Sequence, residues 1–206
     1  MELVIVRHGR PEHIEEADGA ADPDLAEIGQ RQAERVGQHL AELGVDVIVT
    51  SPLARARQTA APLARLLDLE PLIVDGVAEY DRDESSYVPA EVTRELIREG
   101  GTDESWADPL GALGEAEKEA WIDGVVDAFG QIVAGNSGRR VAVFCHGMVT
   151  SVWFARMLGI DDTLRFVPDY AGITRVLASA AADSVTVRSF NETHFLGDAH
   201  IPLFEK

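Results

Sequence analysis

Two apolar runs in this chain end in a histidine followed by glycine. Leu3 to Val6 runs into Arg7-His8-Gly9, and Val141 to Cys145 runs into His146-Gly147. A third run, Asp46 to Thr50, gives way to Ser51-Pro52, with Arg55 and Arg57 close behind, and a fourth, Leu72 to Val74, leads to Glu79. Two histidines, two or three arginines and one carboxylate are suited to handling an anion. The guanidinium fork matches phosphate oxygens. A histidine among arginines is a general base or a nucleophile. Helices that start after the Asp46 to Thr50 and Val141 to Cys145 runs would add amide donors and a positive dipole end.

These groups meet only if something brings the four run ends together. An open parallel sheet does so, because its ligands bind beyond the carboxyl ends of the strands. The runs are short and continuous, as strands buried on both faces are. Helical patterns separate them. Leu25, Ile28, Val36, Leu40 and Leu43 form one apolar stripe, and Asp24 with Glu27 predicts a capping box at its start. Ser51-Pro52 opens a second helix with Leu53, Ala56, Ala60, Leu63 and Leu67 inward. A third spans about Glu115 to Ala134, and a fourth follows Cys145 with Val149, Val152, Trp153, Ala155 and Leu158 inward. Ile173 to Ala178 and Val185 to Phe190 flank Ala182-Asp183-Ser184 and predict a hairpin. The alternation predicts a layered α/β fold with a mostly parallel sheet. Residues 80–114 differ: they are acidic, carry Pro89, Pro109 and Gly100-Gly101, and hold one modest helix near Glu91 to Arg98. They are expected to form a lid inserted into a single domain covering 1–206.

Bulk properties narrow the function classes. At 206 residues, 46% apolar and 26% charged, the composition is that of an ordinary globular protein. The net charge of −18 argues against nucleic-acid or anionic-membrane binding, which needs basic surface. An anionic ligand therefore requires its few cations to be concentrated locally. One cysteine gives no disulfide framework, and Arg7 interrupts the N-terminal apolar run before it could serve as a signal segment, so a cytoplasmic protein is expected. His8, Glu12 and His13 have no recognised metal spacing. Cys145 reads as a small buried residue, and His13, His39 and His200 as surface.

Taken in order, the motifs resemble the histidine phosphatase superfamily, also called phosphoglycerate-mutase-like. VIVRHG is similar to its N-terminal signature, LAEIGQRQA to its first-helix motif and TSPLARARQTAAPLA to its second-arginine motif. VAE stands at the acid/base position, VFCHG at the second-histidine motif, and ITRV…NETHFL in the C-terminal pattern. The resemblance covers nearly the whole chain and implies a three-layer sandwich around a mostly parallel sheet. It implies that His8 attacks phosphorus, that Arg7 and Arg55 grip the phosphoryl oxygens, and that His146 donates to those oxygens. Glu79 would then be the acid and base, with Asp81, Asp83 and Glu84 as neighbouring rivals. No cofactor or metal is implied; the partner is a small phosphorylated substrate, and the oligomeric state is left open. His194 is expected to support the site. Arg10 and Tyr87 are expected to select the leaving group. Three departures bear on substrate. Arg10-Pro11-Glu12 stands where mutases carry serine and asparagine, Ala26 replaces the usual threonine cap, and the run after Glu79 lacks the usual glycine pattern. Hydrolysis through phosphohistidine is thus expected ahead of mutase-type transfer, with a catalytically weak phosphate-binding protein as the other alternative. A histidine that must be neutral and a carboxyl that must be protonated predict a bell-shaped rate profile, centred on the acidic side of neutral.

Overall fold

A computed structural model describes residues 1–92, 110–111, 113–160, 166–179 and 184–203. Six strands form one sheet: β1 (Glu2–Arg7), β2 (Val47–Thr50), β3 (Leu72–Ile73), β4 (Arg140–Cys145), β5 (Ile173–Ser179) and β6 (Ser184–Glu192). Their spatial order is β3-β2-β4-β1-β5-β6. β3, β2, β4 and β1 pair in parallel, and β5 pairs antiparallel with both β1 and β6. The four long helices are α1 (Glu27–Leu43), α2 (Ala54–Leu67), α3 (Glu115–Gly135) and α4 (Gly147–Leu158).

The period-two alternation of strand side chains divides the interior into two cores. Leu3 and Ile5 of β1, with Val141, Val143 and Cys145 of β4, pack on one face against Ile122, Val125 and Phe129 of α3 and Val149, Val152 and Trp153 of α4. Val4, Val6, Ala142 and Phe144 point the other way, onto Val36 and Leu40 of α1 and Ala60 and Leu63 of α2. The outcome is the expected three-layer sandwich. It explains why the β1 and β4 runs are apolar at every position: both faces are covered.

The predicted elements stand, with ends shifted by a residue or two, and Val74 lies just outside β3. The capping box does not form. The residue before α1 is Ala26, with no side-chain cap. Asp24 instead accepts a hydrogen bond from the Gln58 side chain at 2.5 Å, and its carbonyl accepts the Glu12 N–H. A tertiary partner has taken the carboxylate that local pattern assigned to the helix end. At α2 the reverse occurs: Asp22, 32 positions away, accepts the Ala54 N–H with both carboxylate oxygens, at 2.9 and 3.0 Å. In the segment expected to be a lid, Tyr87 and Ile14 exchange backbone hydrogen bonds, and the Ala17 and Ala21 N–H groups donate to Ser85 O and Glu84 O. Leu110, fully buried, returns the chain to the α3/α4 core. Most of the helix expected near Glu91 to Arg98 lies outside the described residues; only its start, through Val92, is seen.

Candidate active site

Register brings the polar strand ends together. Arg7 pairs with Cys145 across β1 and β4, so His8 and His146 follow adjacent, matched positions, and the His8 N–H donates to Cys145 O. Thr50 of β2 pairs with Phe144, and the Ser51 N–H donates to Phe144 O. Three neighbouring parallel strands therefore end side by side in Ser51, His146 and His8. The two imidazoles lie 5.1 Å apart, centroid to centroid, and His8 is also 5.7 Å from the Tyr170 ring. Arg7, His8, Arg55, Glu79 and His146 are all buried.

His8 has a fixed tautomer. Its Nδ1 lies 2.7 Å from Gly9 O, a carbonyl that can only accept, so Nδ1 carries the proton and Nε2 keeps a free lone pair. Burial, then Arg55 and Arg7, push its pKa well below the ordinary histidine value. The ring is thus neutral near pH 7. The loop holding it is tightly seated. The Gly9 N–H donates to Thr59 Oγ1 at 2.9 Å, whose hydroxyl donates to Arg55 O at 2.7 Å. The Arg10 N–H donates to the buried Gln32 side chain. A Cβ at Gly9 would stand 2.7 Å from Gly29 O, and one at Gly29 would stand 2.0 Å from Arg10 O. The loop and α1 meet backbone to backbone, which only glycine at both positions permits.

Arg7 lies over the Tyr170 ring at 4.1 Å and donates through Nη1 to Pro168 O at 2.7 Å. Its Nε is buried without a partner. Arg55 is stacked 4.7 Å above the Tyr87 ring. Its Nη2 donates to Asp81 Oδ1 at 3.1 Å, and Asp22 stands 3.8 Å from Nη1. Its Nε is likewise buried and unpartnered. Buried donors without acceptors are costly, and two on guanidinium groups beside His8 are suited to an anion's oxygens.

The four carboxylates differ in burial and in partners. Asp83 and Glu84 are exposed, and Asp81 is bound to Arg55. Glu79 is buried; its Oε2 accepts the Met148 N–H at 3.1 Å and its Oε1 has no partner. Burial, with repulsion from Asp81, pushes its pKa up to about 8, against the pull of Arg55, the Met148 N–H and Arg7. Glu79 therefore holds a proton at neutral pH, on the free Oε1.

Arg10 and Tyr87 both stand beside this cluster, Arg10 in an ion pair with Glu91 at 2.5 Å. Arg57 is exposed on α2. His194 does not reach the site; it packs edge-on against His39 and Phe195, and His39 stacks on Phe195. His200, expected at the surface, is half-buried and bound to Asp169 at 3.1 Å. Cys145 is fully buried, and burial pushes its thiol up to about 12. Among the described residues, no three His, Cys, Asp or Glu side chains form a group able to hold a metal, and no helix is long and apolar enough to cross a membrane.

Other residues complete the surroundings, Ser51 from the strand-end motif and Asp169 and Tyr170 without a local signal. Ser51 contacts His146 Nε2 at 2.8 Å. Tyr170 lies under Arg7. Asp169 ties the turn before Tyr170 to the C-terminal segment, accepting from Asn191, His200 and the Leu203 N–H. Asp169 and Tyr170 follow no motif, and only the fold brings residues 168–172 beside β1.

The sequence and the fold have relatives among known proteins. The family described as histidine phosphatase superfamily (branch 1) matches residues 3–193. Phosphoserine phosphatase 1 of Hydrogenobacter thermophilus is 37% identical over 83 residues, 39% of each chain. Bifunctional protein Rv2228c of Mycobacterium tuberculosis is 30% identical over 206 residues, 94% of this chain and 54% of the relative. The chain thus spans about half or less of the length of these curated relatives. The α-ribazole phosphatase structure from Shigella flexneri superposes with a TM-score of 0.69 at 19% identity, over 93% of this chain and 96% of that one. With the motifs in order, their side chains gathered at one sheet edge and the match running almost end to end, the chain belongs to the histidine phosphatase superfamily.

Proposed function

We propose that the protein is a phosphomonoester hydrolase working through a phosphohistidine on His8. The observation that carries this is the His8 tautomer: Gly9 O occupies the Nδ1 proton, leaving a neutral, buried Nε2 lone pair between two arginines. In the first step Nε2 attacks phosphorus, the P–N bond forms, and the ester P–O bond breaks. The leaving oxygen takes the proton from Glu79. In the second step water attacks phosphorus and gives a proton to the Glu79 carboxylate, and the P–N bond breaks to release phosphate. Arg7, Arg55 and His146 hold the three non-bridging oxygens throughout, so catalysis is positioning and charge stabilisation. Asp81 and Asp22 occupy the outer face of Arg55. They keep its charge balanced while its Nε stays free.

Phosphoserine phosphatase 1 and the α-ribazole phosphatase are named for different phosphoesters, so the substrate is assigned only as a small phosphorylated molecule, with Arg10 and Tyr87 contacting its leaving group. The test is rapid-quench labelling with an activated aryl phosphate in excess chelator. An acid-labile phosphoenzyme on His8, absent in His8→Ala, and retention of configuration at phosphorus are expected. Inversion at phosphorus, or a phosphatase activity abolished by chelator and restored by a divalent ion, would overturn the assignment.

A further inference from the structure

The proposed reaction uses both imidazoles and leaves one buried hydroxyl beside them unassigned. Ser51 is fully buried, and its Oγ contacts His146 Nε2 at 2.8 Å and the Leu53 N–H at 3.3 Å. A hydroxyl has one proton to donate and two lone pairs. The Leu53 amide can only donate, so the Ser51 proton has one acceptor among the described residues, His146 Nε2. The opposite assignment, with Nε2–H donating to Ser51, would leave both the serine proton and the Nδ1 lone pair buried and unmet, two groups against the single open Nδ1–H of the first form.

We propose that Ser51 is a positioning residue for the second histidine: its hydroxyl donates to His146 Nε2 and holds the ring in the Nδ1–H tautomer. Nδ1 is the ring atom that is buried and has no partner, and the ring packs against His8. It therefore offers the phosphoryl group on His8 a proton, where the other tautomer would offer a lone pair against oxygens that are already negative. The choice matters because His146 is uncharged at neutral pH. Burial, then Arg55, His8 and Arg7, push its pKa well below the ordinary value. The neutral ring has a single proton, so a misplaced one removes the donor altogether. Strand register delivers Ser51 to this role: it is the first residue past β2, and its N–H already donates to Phe144 O on the neighbouring strand. The same serine thus fixes the height of the β2 end and the proton of His146.

The tautomer stands on geometry alone; its catalytic consequence rests on the phosphatase reading. The experiment keeps the two apart. Protein labelled with ¹⁵N-histidine is examined at pH 7 by long-range ¹H–¹⁵N correlation, with His146 assigned by the signals missing from His146→Gln. The wild type should show the Nδ1–H pattern. Ser51→Ala should shift it toward Nε2–H and lower kcat for an aryl phosphate about 10- to 100-fold, part of the loss known for removing an oxyanion donor. KM should change less than threefold, and Ser51→Thr should restore both pattern and kcat. A wild-type ring in the Nε2–H form overturns the proposal, even if Ser51→Ala fails to fold. So does a Ser51→Ala protein with tautomer and kcat unchanged. The expected spectra without turnover by any protein would leave the tautomer standing and remove the phosphatase reading.

Discussion

At His8 a single carbonyl divides the work of the ring, fixing a proton on Nδ1 and freeing Nε2. At Glu79 a single amide does the same, occupying Oε2 and leaving Oε1 for the proton. The two groups titrate in opposite directions from their reference values, and both shifts favour the reactive form at neutral pH. Turnover of an alkyl phosphate should fall below the lowered His8 pKa, as the nucleophile protonates, and above pH 8, as Glu79 loses its proton. A pH–rate profile on alkyl and activated aryl phosphates checks this. The alkaline limb should weaken for the aryl ester, whose leaving group needs no proton. Glu79→Gln should still become phosphorylated by the aryl ester and then hydrolyse slowly, so that phosphoenzyme accumulates after quenching. If Asp81→Asn produces that trap and Glu79→Gln does not, the roles are reversed. His8, Arg7, Arg55 and His146 could be brought together from the sequence because each ends or directly follows a strand or lies in the first turn of a helix. Glu79 was preferred on the motif alone, and its burial and free Oε1, which set it apart from the exposed Asp83 and Glu84, are not displayed by a run of acidic residues.

At the scale of elements, the loop that carries His8 is held by neighbours distant in sequence. Gln32 and Gly29 of α1, Thr59 of α2 and the turn 168–172 converge on residues 7–10. The turn is itself unusual: Ala171 has φ of 57°, left-handed for a residue with a Cβ, yet its N–H donates to His8 O and Gly172 O accepts the Arg7 N–H. Asp169 secures it by three hydrogen bonds to the C-terminal segment. Asp169→Ala leaves buried donors unpaired and should destabilise by about 1–3 kcal/mol. It should also weaken inhibition by inorganic phosphate, because Pro168 O and Tyr170 no longer hold Arg7 in place. Gly29→Ala, which drives a methyl into Arg10 O, should cost at least about 1–3 kcal/mol. Denaturant unfolding and phosphate inhibition measure both; a stable Gly29→Ala protein with normal turnover would show that the loop can retreat. The strands and long helices were legible from periodicity. The Asp24–Glu27 capping box failed because side-chain capping there competes with Gln58, a partner set by the packing of α1 on α2. No local pattern reports such a competitor, and none marked Asp169 or His200.

For the whole molecule, the site works against folding at both ends of the pH scale. A histidine with a depressed folded pKa binds fewer protons folded than unfolded, so stability falls as pH drops below about 6.5, the unfolded value. His8 and His146 both contribute this way. A carboxyl with a raised folded pKa binds more protons folded than unfolded, so stability falls as pH rises from about 4.5 toward 8, and Glu79 contributes this loss. Glu79→Gln removes the second effect and leaves the first. Its Tm relative to wild type should therefore climb between pH 5 and 8 and level off above that. His146→Gln should gain on wild type as pH falls below 6.5, although the lost contact to Ser51 offsets part of it. Thermal melts across pH 5 to 8.5 in matched ionic strength make the comparison, since a net charge of −18 also makes stability salt-dependent. Phosphate should narrow the difference for His146→Gln, because it binds the wild-type site better and stabilises only the folded state. Parallel Tm curves for wild type and Glu79→Gln would mean that the carboxyl is ionised in the folded protein across this range. The proton needed by the leaving group would then have to come from another residue.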